Sequence, residues 1–345
     1  MKAIVIQKRG RPVAPNVALV DGFADPRPAL GELLVRTEAS ALNSLDLWVG
    51  VGLPGIDTKY PFCGGSDGVG RVVAVGDGVD GAWIGRRVML NAAVVRASVA
   101  SPGVRSAGED IEMIGEHRQG THAEQFVAPA SNVLDIGDAD PVEAAAFGLT
   151  HLTAWRMLVT RARLKPGMMV LVTGIGGGVA VALLNIARHL GCEVIVTSRH
   201  QAKLDEAKTL GASYGILDDG GDWSKAVRAA TGKRGVDIAA DSVGKAVHSQ
   251  CIRSLARGGV FVTCGTTTGG DAVTDLTRIF WNQLTLVGST MGDMEEFAQV
   301  VSLFRIGVLR PKVDRIVRPG HAATAFERLE AGQQMGKLVI DWRDQ

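Results

Sequence analysis

The residues best suited to chemistry lie between Val170 and Leu190, in VLVTGIGGGVAVALLNIARHL. Val170, Leu171, Val172 and Thr173 form a β-favouring run that suits a strand buried on both faces of a parallel sheet. Gly174, Gly176, Gly177 and Gly178 follow at once. Lacking Cβ atoms, they let the backbone turn tightly and approach a pyrophosphate, while the first unbonded N–H groups of the next helix point at it. Val179, Leu183, Ile186, Ala187 and Leu190 then share one helical face, and Gly191 ends it. A strict G-x-G-x-x-G is not met, because Val179 takes the third position counted from Gly174 and Gly176. The looser small-x-x-Gly-x-x-small fits Gly174, Gly177 and Ala180. A flexible turn is the bland alternative; the flanking strand and helix decide for a dinucleotide.

Beyond the turn, at the end of the second strand, an NAD-binding chain places Asp or Glu on the ribose 2′-hydroxyl. Here the residues are Val196-Thr197-Ser198-Arg199, with Lys203 one helical turn on. Ser198 cannot repel a phosphate, and Arg199 and Lys203 can neutralise one through charge-assisted hydrogen bonds, so the expected cofactor is NADPH. The alternative is a surface Arg and Lys with no ligand. Tyr214 is an adenosine contact or simply a strand residue. Gly265, Thr266 and Thr267 follow a later strand, at the carboxyl end of the sheet, where open α/β folds bind ligands.

The elements that must position these residues fall into two patterns. Residues 1–145 read as short strands at 3–6, 32–37, 70–75, 87–90 and 124–127 between Gly, Pro and Asp turns. The stretch 91–120, including the loop 101–108, shows no convincing periodicity. From residue 141 strands and helices alternate. A helix over 144–162 leads to the strand at 170, and further strands are expected at 194–197, 214–217, 236–240, 259–264 and 285–288. Six strands with intervening helices describe a doubly wound parallel sheet of the Rossmann type. Helices over 295–306 and 322–334 and a strand over 337–341 are too little for a core of their own. The expected division is therefore a β-rich domain 1–145 completed by 291–345, and a nucleotide-binding domain 146–290.

Composition narrows the function classes. With 345 residues, 46% of them hydrophobic, the chain can bury two or three cores. Its 37 basic and 36 acidic residues leave a net charge of +1 and no basic stripe, which excludes nucleic acid as a partner class. No apolar stretch approaches the roughly 20 residues of a membrane span, and Met1 to Val5 is too short for a signal peptide. The expectation is a cytoplasmic protein acting on a small molecule. Cys63, Cys192, Cys251 and Cys264 lie far apart with no C-x-x-C pair, against a zinc ribbon or a disulfide framework.

Several blocks resemble the medium-chain dehydrogenase/reductase superfamily, in particular its quinone-oxidoreductase-like members. They are LNSLDLWVGVGLPG from Leu42, GGSDGVGRVVAVGDGV from Gly64, GTHAEQFVAPASNV from Gly120, LTAWRML from Leu152, the glycine turn, LGA at Leu210 and GKLVI at Gly336. The resemblance covers nearly the whole chain. It implies a GroES-like catalytic domain, a Rossmann nucleotide domain inserted within it and a nicotinamide cofactor held in the cleft. It also implies a homodimer through the sixth strand, near 284–288.

Zinc alcohol dehydrogenases of this superfamily carry a catalytic cysteine in the first block, His-Glu in the second, and a further cysteine before the Thr-Ala block. Those positions hold Asn43, Ser66-Asp67 and, by spacing, Leu149, while Leu45 replaces the relay hydroxyl. Such side chains cannot make the Cys/His tetrahedron zinc prefers, so no metal is expected. The loop corresponding to the structural-zinc lobe has no cysteine; Glu109, Asp110, Glu112, Glu116 and His117 within it read as a solvated face.

Without a Lewis acid, a quinone or an α,β-unsaturated carbonyl compound is the easier acceptor, because its charge spreads onto an enolate or quinol oxygen. By the resemblance, Asn43 stands beside nicotinamide and acceptor oxygen, Trp48 walls the pocket, and Thr153 lies in the active site. Neighbouring His151 is a proton donor or a packed histidine at a helix start. Gly288 and Ser289 face the nicotinamide carboxamide, and Asp46 and Asp67 read as buried acids that hold loops. The alternatives are an NAD(P)-dependent alcohol or aldehyde dehydrogenase, and a nucleotide-binding sensor without turnover.

Overall fold

The computed structural model describes residues 1–95 and 110–343, so the loop 101–108 and Glu109 lie outside the described residues. The chain divides into two compact units. One comprises Met1–Leu149, Asp293–Ala298 and Val313–Gln345; the other, Thr150–Gly292 and Gln299–Lys312. The second unit thus takes in residues 299–312, which the sequence reading gave to the first. Among the described residues no helix is long and apolar enough to cross a membrane, and all four cysteines are free thiols.

The first unit is built on the strand Glu32–Ala41, whose Leu33, Val35, Ala39 and Ala41 are fully buried. It pairs antiparallel with Asp67–Val75 along most of its length, with Gln125–Pro129 at its start and with Lys337–Asp341 at its end. Arg87–Leu90 and Val133–Asp135 extend the sheet on one side, and Val313–Val317 runs parallel to Lys337–Asp341 on the other. The pairing register matters most at one point: Ala41 stands opposite Asp67 on one side and opposite Val339 on the other. Leu42 N–H continues the second pairing to Leu338 C=O at 2.9 Å, which carries Asn43 alongside Lys337.

The helices Ser44–Val51 and Ala322–Glu330 pack beside that sheet end. Leu42, Val49, Phe62, Phe326, Leu338, Ile340 and Trp342 form one core cluster with Ile4 and Ile6 of the hairpin Ala3–Ile6/Val17–Val20. The helix Ser44–Val51 has no clear signature in the sequence. Its residues SLDLWVGV include a glycine and two valines, poor helix formers, and burial of Val49 outweighs their propensity.

The second unit holds a six-stranded, all-parallel sheet. Its order is Tyr214–Leu217, Glu193–Ser198, Met169–Val172, Val236–Asp241, Leu255–Thr263, Thr285–Gly288. The order in which successive strands are laid down reverses between Met169–Val172 and Val236–Asp241, the switch point at which such sheets bind ligands. The helix Gly178–His189 buries Leu183, Ile186 and Ala187 of the face expected for it, together with Ala180 and Leu184, while Val179 and Leu190 are half-buried. This α/β pairing of a β-rich unit with a doubly wound parallel sheet is the fold class read from the sequence.

Candidate functional site

In the first unit the site grows from the end of the strand Glu32–Ala41. Asn43 precedes the helix Ser44–Val51 with extended backbone, and Asp46 in the first turn accepts the Asn43 N–H on Oδ2 at 2.8 Å. Its Oδ1 accepts the Gly65 N–H at 2.9 Å and lies 3.3 Å from His122 Nε2. The contact with His122 is close but not aligned as a hydrogen bond. On the far side of the ring, Ser40 Oγ lies 2.9 Å from Nδ1 and accepts the Trp342 indole N–H at 3.0 Å. Indole only donates, so Ser40 Oγ is the acceptor in that bond and keeps its own proton available for Nδ1.

The Asn43 side chain is held by two charges. Nδ2 donates to Asp67 Oδ2 at 2.9 Å and, more weakly, to Ala41 C=O at 3.4 Å, while Oδ1 accepts from Lys337 Nζ at 2.6 Å. Lys337 also donates to Asp67 Oδ2 at 2.8 Å, and Asp67 Oδ1 accepts the Leu149 N–H at 2.7 Å. The Lys337 and Asp67 side chains are 4% and 1% exposed. Buried ions must be paired, and removing one partner of such a pair costs about 3–5 kcal/mol.

The positions that resemble metal ligands are thus engaged by protein: Ser66 donates its hydroxyl to Ile114 C=O at 2.8 Å, and Leu149 offers only its N–H. Among the described residues no three His, Cys, Asp or Glu side chains gather so as to hold a metal ion. Cys63, buried nearby, has its thiol pushed up to about 12 by burial and by the charge of Asp46, so it stays protonated. Trp48 is half-buried on the helix that Asn43 begins.

In the second unit the glycine turn sits at the switch point. Gly174 takes φ +61°, and a Cβ there would lie 2.7 Å from the Val243 side chain, so glycine is required. At Gly177 an added Cβ would find nothing nearer than Gly174 C=O at 4.0 Å. That open space lies at the start of the helix Gly178–His189, whose N–H groups at Gly178, Val179 and Ala180 precede the first intrahelical bond, Val181 N–H to Gly177 C=O. Room beside Gly177 and unbonded N–H groups together fit a diphosphate.

Asp241, fully buried at the end of the fourth strand, clamps this turn from behind. It accepts the Thr173 hydroxyl at 2.6 Å and the Val243 and Gly244 N–H groups at 2.9 Å each. Burial raises its carboxyl above the ordinary carboxylate range, against the lowering by those three donors.

Because all six strands are parallel, Gly174, Ser198, Gly265 and Gly288 come to one edge of the sheet, with Gly177, Gly178 and Val179, Arg199, Thr266 and Ser289 beside them. Ser198 is buried and its hydroxyl accepts the His200 N–H at 3.1 Å, which leaves its own proton to donate; Arg199 is exposed and Lys203 half-buried. Tyr214 does not join them. It opens its strand opposite Ile195 instead of closing it, so the adenosine contact loses its geometric basis. Thr153 is buried, its hydroxyl 3.8 Å from the Met291 sulfur. His151 lies near the C-terminal end of the helix Pro141–Trp155, not at a helix start. Glu116 departs from the solvated face expected of its loop: burial raises its carboxyl, with His117 opposing.

Sequence reasoning missed Lys337, His122 and Asp241. Only Lys337 left a signal, a buried charge opening the short strand KLVID, all five of whose residues are buried.

Residues 29–138 match the family described as alcohol dehydrogenase GroES-like domain, and residues 178–305 that described as zinc-binding dehydrogenase. The zinc-type alcohol dehydrogenase-like protein YogA of Leptosphaeria maculans is 30% identical over 338 residues, 92% of each chain. The alcohol dehydrogenase of Geobacillus stearothermophilus is 31% identical over 326 residues, 92% of this chain and 94% of its own. The crystal structure of an NAD-dependent alcohol dehydrogenase matches over 99% of both chains, with TM-score 0.89 and 33% identity.

The Asp241 clamp predicts a pH signature. A raised folded pKa means that its contribution to stability is complete below the unfolded value, about 3.9, and is lost as pH rises through the folded value. Asp241→Asn cannot titrate and gives up one acceptor, at a cost of about 1–3 kcal/mol. The difference in melting temperature between wild type and variant should shrink as pH rises from about 4 toward neutrality. A difference that widens over that range contradicts the assignment.

Proposed function

Because the chain belongs to the medium-chain dehydrogenase/reductase superfamily and is an oxidoreductase of that family, we propose that it is a cytoplasmic, NADPH-dependent reductase of quinones or α,β-unsaturated carbonyl compounds that works without a catalytic metal. The observation that carries this reading is the closed set Asn43, Asp67 and Lys337. Where metal-dependent relatives would need ligands, a carboxylate already has an ammonium as its countercharge, and the amide between them is bonded to both.

In this reading the first unit binds the acceptor and the second the cofactor. The N–H groups of Gly178 and Val179, with Gly174 and Gly177 giving room, hold the diphosphate. Ser198, Arg199 and Lys203 take the 2′-phosphate, Gly265 and Thr266 flank the nucleotide, and Gly288 and Ser289 meet the carboxamide. When bound, the nicotinamide supplies hydride. Asn43 meets the acceptor oxygen, and Trp48 lines the pocket beside it. Negative charge delocalised on an enolate or quinol oxygen is within the capacity of hydrogen bonds to stabilise, whereas a localised alkoxide calls for a stronger electrophile.

A second reading, an NAD(P)-dependent alcohol or aldehyde dehydrogenase, is favoured by the names of the relatives. Steady-state oxidation of NADPH and NADH over a panel of quinones, short enones and simple aldehydes separates the two. Turnover of quinones or enones with NADPH is expected; turnover of aldehydes alone would establish the second reading. Arg199→Ala should weaken NADPH by one or two charge-assisted hydrogen bonds, about 1.5–3 kcal/mol each, and leave NADH nearly unchanged. Equal weakening of both nucleotides would overturn the NADPH assignment.

A homodimer is part of the proposal. Thr285–Gly288 is the last strand of its sheet and pairs on one side only among the described residues, with Leu286 37% exposed. The preceding helix Leu276–Asn282 displays Phe280 and Trp281, both about two-thirds exposed. An open edge flanked by apolar side chains suits the same edge of a second copy across a two-fold axis. Light scattering should give twice the chain mass for wild type and a monomer for Leu286→Lys; a monomeric wild type would refute it.

A further inference from the structure

Lys337 has no role in the reading above beyond neutralising Asp67, yet its contact with Asn43 is the shorter of its two bonds. An ammonium only donates and a carboxylate only accepts. Between them the Asn43 amide has a single arrangement, Oδ1 toward Lys337 Nζ at 2.6 Å and Nδ2 toward Asp67 Oδ2 at 2.9 Å. Turned over, it would set donor against donor and acceptor against acceptor. The direction of the second Nδ2 proton is thereby fixed as well. Its acceptor inside the protein, Ala41 C=O, is 3.4 Å away, beyond the usual N–H···O range, so that proton is weakly used. Donation from the ammonium into Oδ1 also polarises the amide and makes its N–H groups stronger donors.

We propose that Lys337 is a positioning residue of the acceptor site: its ammonium, opposed by the Asp67 carboxylate, sets the rotation of the Asn43 amide and presents its weakly used N–H to the acceptor oxygen. The inference rests on the placing of Asn43 beside that oxygen. Lys337 acts through Asn43 and transfers no proton.

Lys337→Met leaves Asp67 without a countercharge and can fail to fold for that reason alone. The neutral double variant Lys337→Met/Asp67→Asn therefore carries the test, with Lys337→Arg beside it. Asparagine at 67 can face either edge of the Asn43 amide, so the rotation is no longer imposed. Turnover is measured on whichever acceptor wild type reduces best. The double variant should keep its melting temperature and nucleotide affinity, lose about ten- to a hundredfold in kcat with little change in KM, and regain nothing at any pH. Lys337→Arg, which keeps charge and donors, should regain part of the rate. A readout independent of turnover is hydrogen exchange of the Asn43 side-chain amide, assigned by its absence from Asn43→Ala in 15N spectra: slow in wild type, fast in the double variant. A double variant with wild-type kcat and unchanged amide exchange overturns the proposal and leaves the acceptor class standing. Wild type that reduces only aldehydes overturns the acceptor class, and the comparison of variants then reads Lys337 on that substrate.

Discussion

The pairing of Ala41 with Asp67 on one side and Val339 on the other is the constraint on which the first unit's site depends. Because side chains alternate along a strand, a slip of one residue would turn Lys337 to the opposite face and leave Asp67 buried without a countercharge. Hydrophobic packing of Leu338, Ile340 and Trp342 against the helices Ser44–Val51 and Ala322–Glu330 holds the register, and the ion pair penalises alternatives. Residues 270 apart in sequence are thereby bonded at 2.8 Å.

The second unit meets a related problem differently. Asp241 is as deeply buried as Asp67 but is bonded to neutral donors where Asp67 has an ammonium, and burial raises the Asp241 carboxyl. Three donors arriving from Thr173, Val243 and Gly244 tie the ends of two neighbouring strands at the switch point, which is where the glycine turn must be held open. Both units thus set loops with a buried carboxylate at a strand end, and the first unit adds Asp46 in a helix's first turn.

Much of the second unit was legible because its signals are local. Tyr214–Leu217 and Thr285–Gly288 were located to the residue, and the helix Gly178–His189 carries its apolar period openly. The first unit was harder. Its helix Ser44–Val51 is made by tertiary burial, against local propensity, and the strand Val313–Val317 is short, has no buried residue and carries Asp314 and Arg315. In the site, Asn43 and Asp67 drew attention as departures from a metal-ligand pattern. Their relation to Lys337 did not, since it is created by strand pairing across most of the chain. His122 lay within a recognised block, but nothing local marks it as the partner of Ser40 and Asp46. Tyr214 shows the converse: residue type suggested a ligand contact, and the parallel register places it away from the carboxyl edge.

The central proposal is that the site closed by Asn43, Asp67 and Lys337 works without a catalytic metal. Elemental analysis of purified protein, before and after exposure to excess zinc and then to chelator, with turnover followed at each stage, tests it most directly. The account predicts zinc far below one per chain and a rate that neither treatment changes. One tightly held zinc per chain, whose removal abolishes turnover and whose return restores it, would contradict the account.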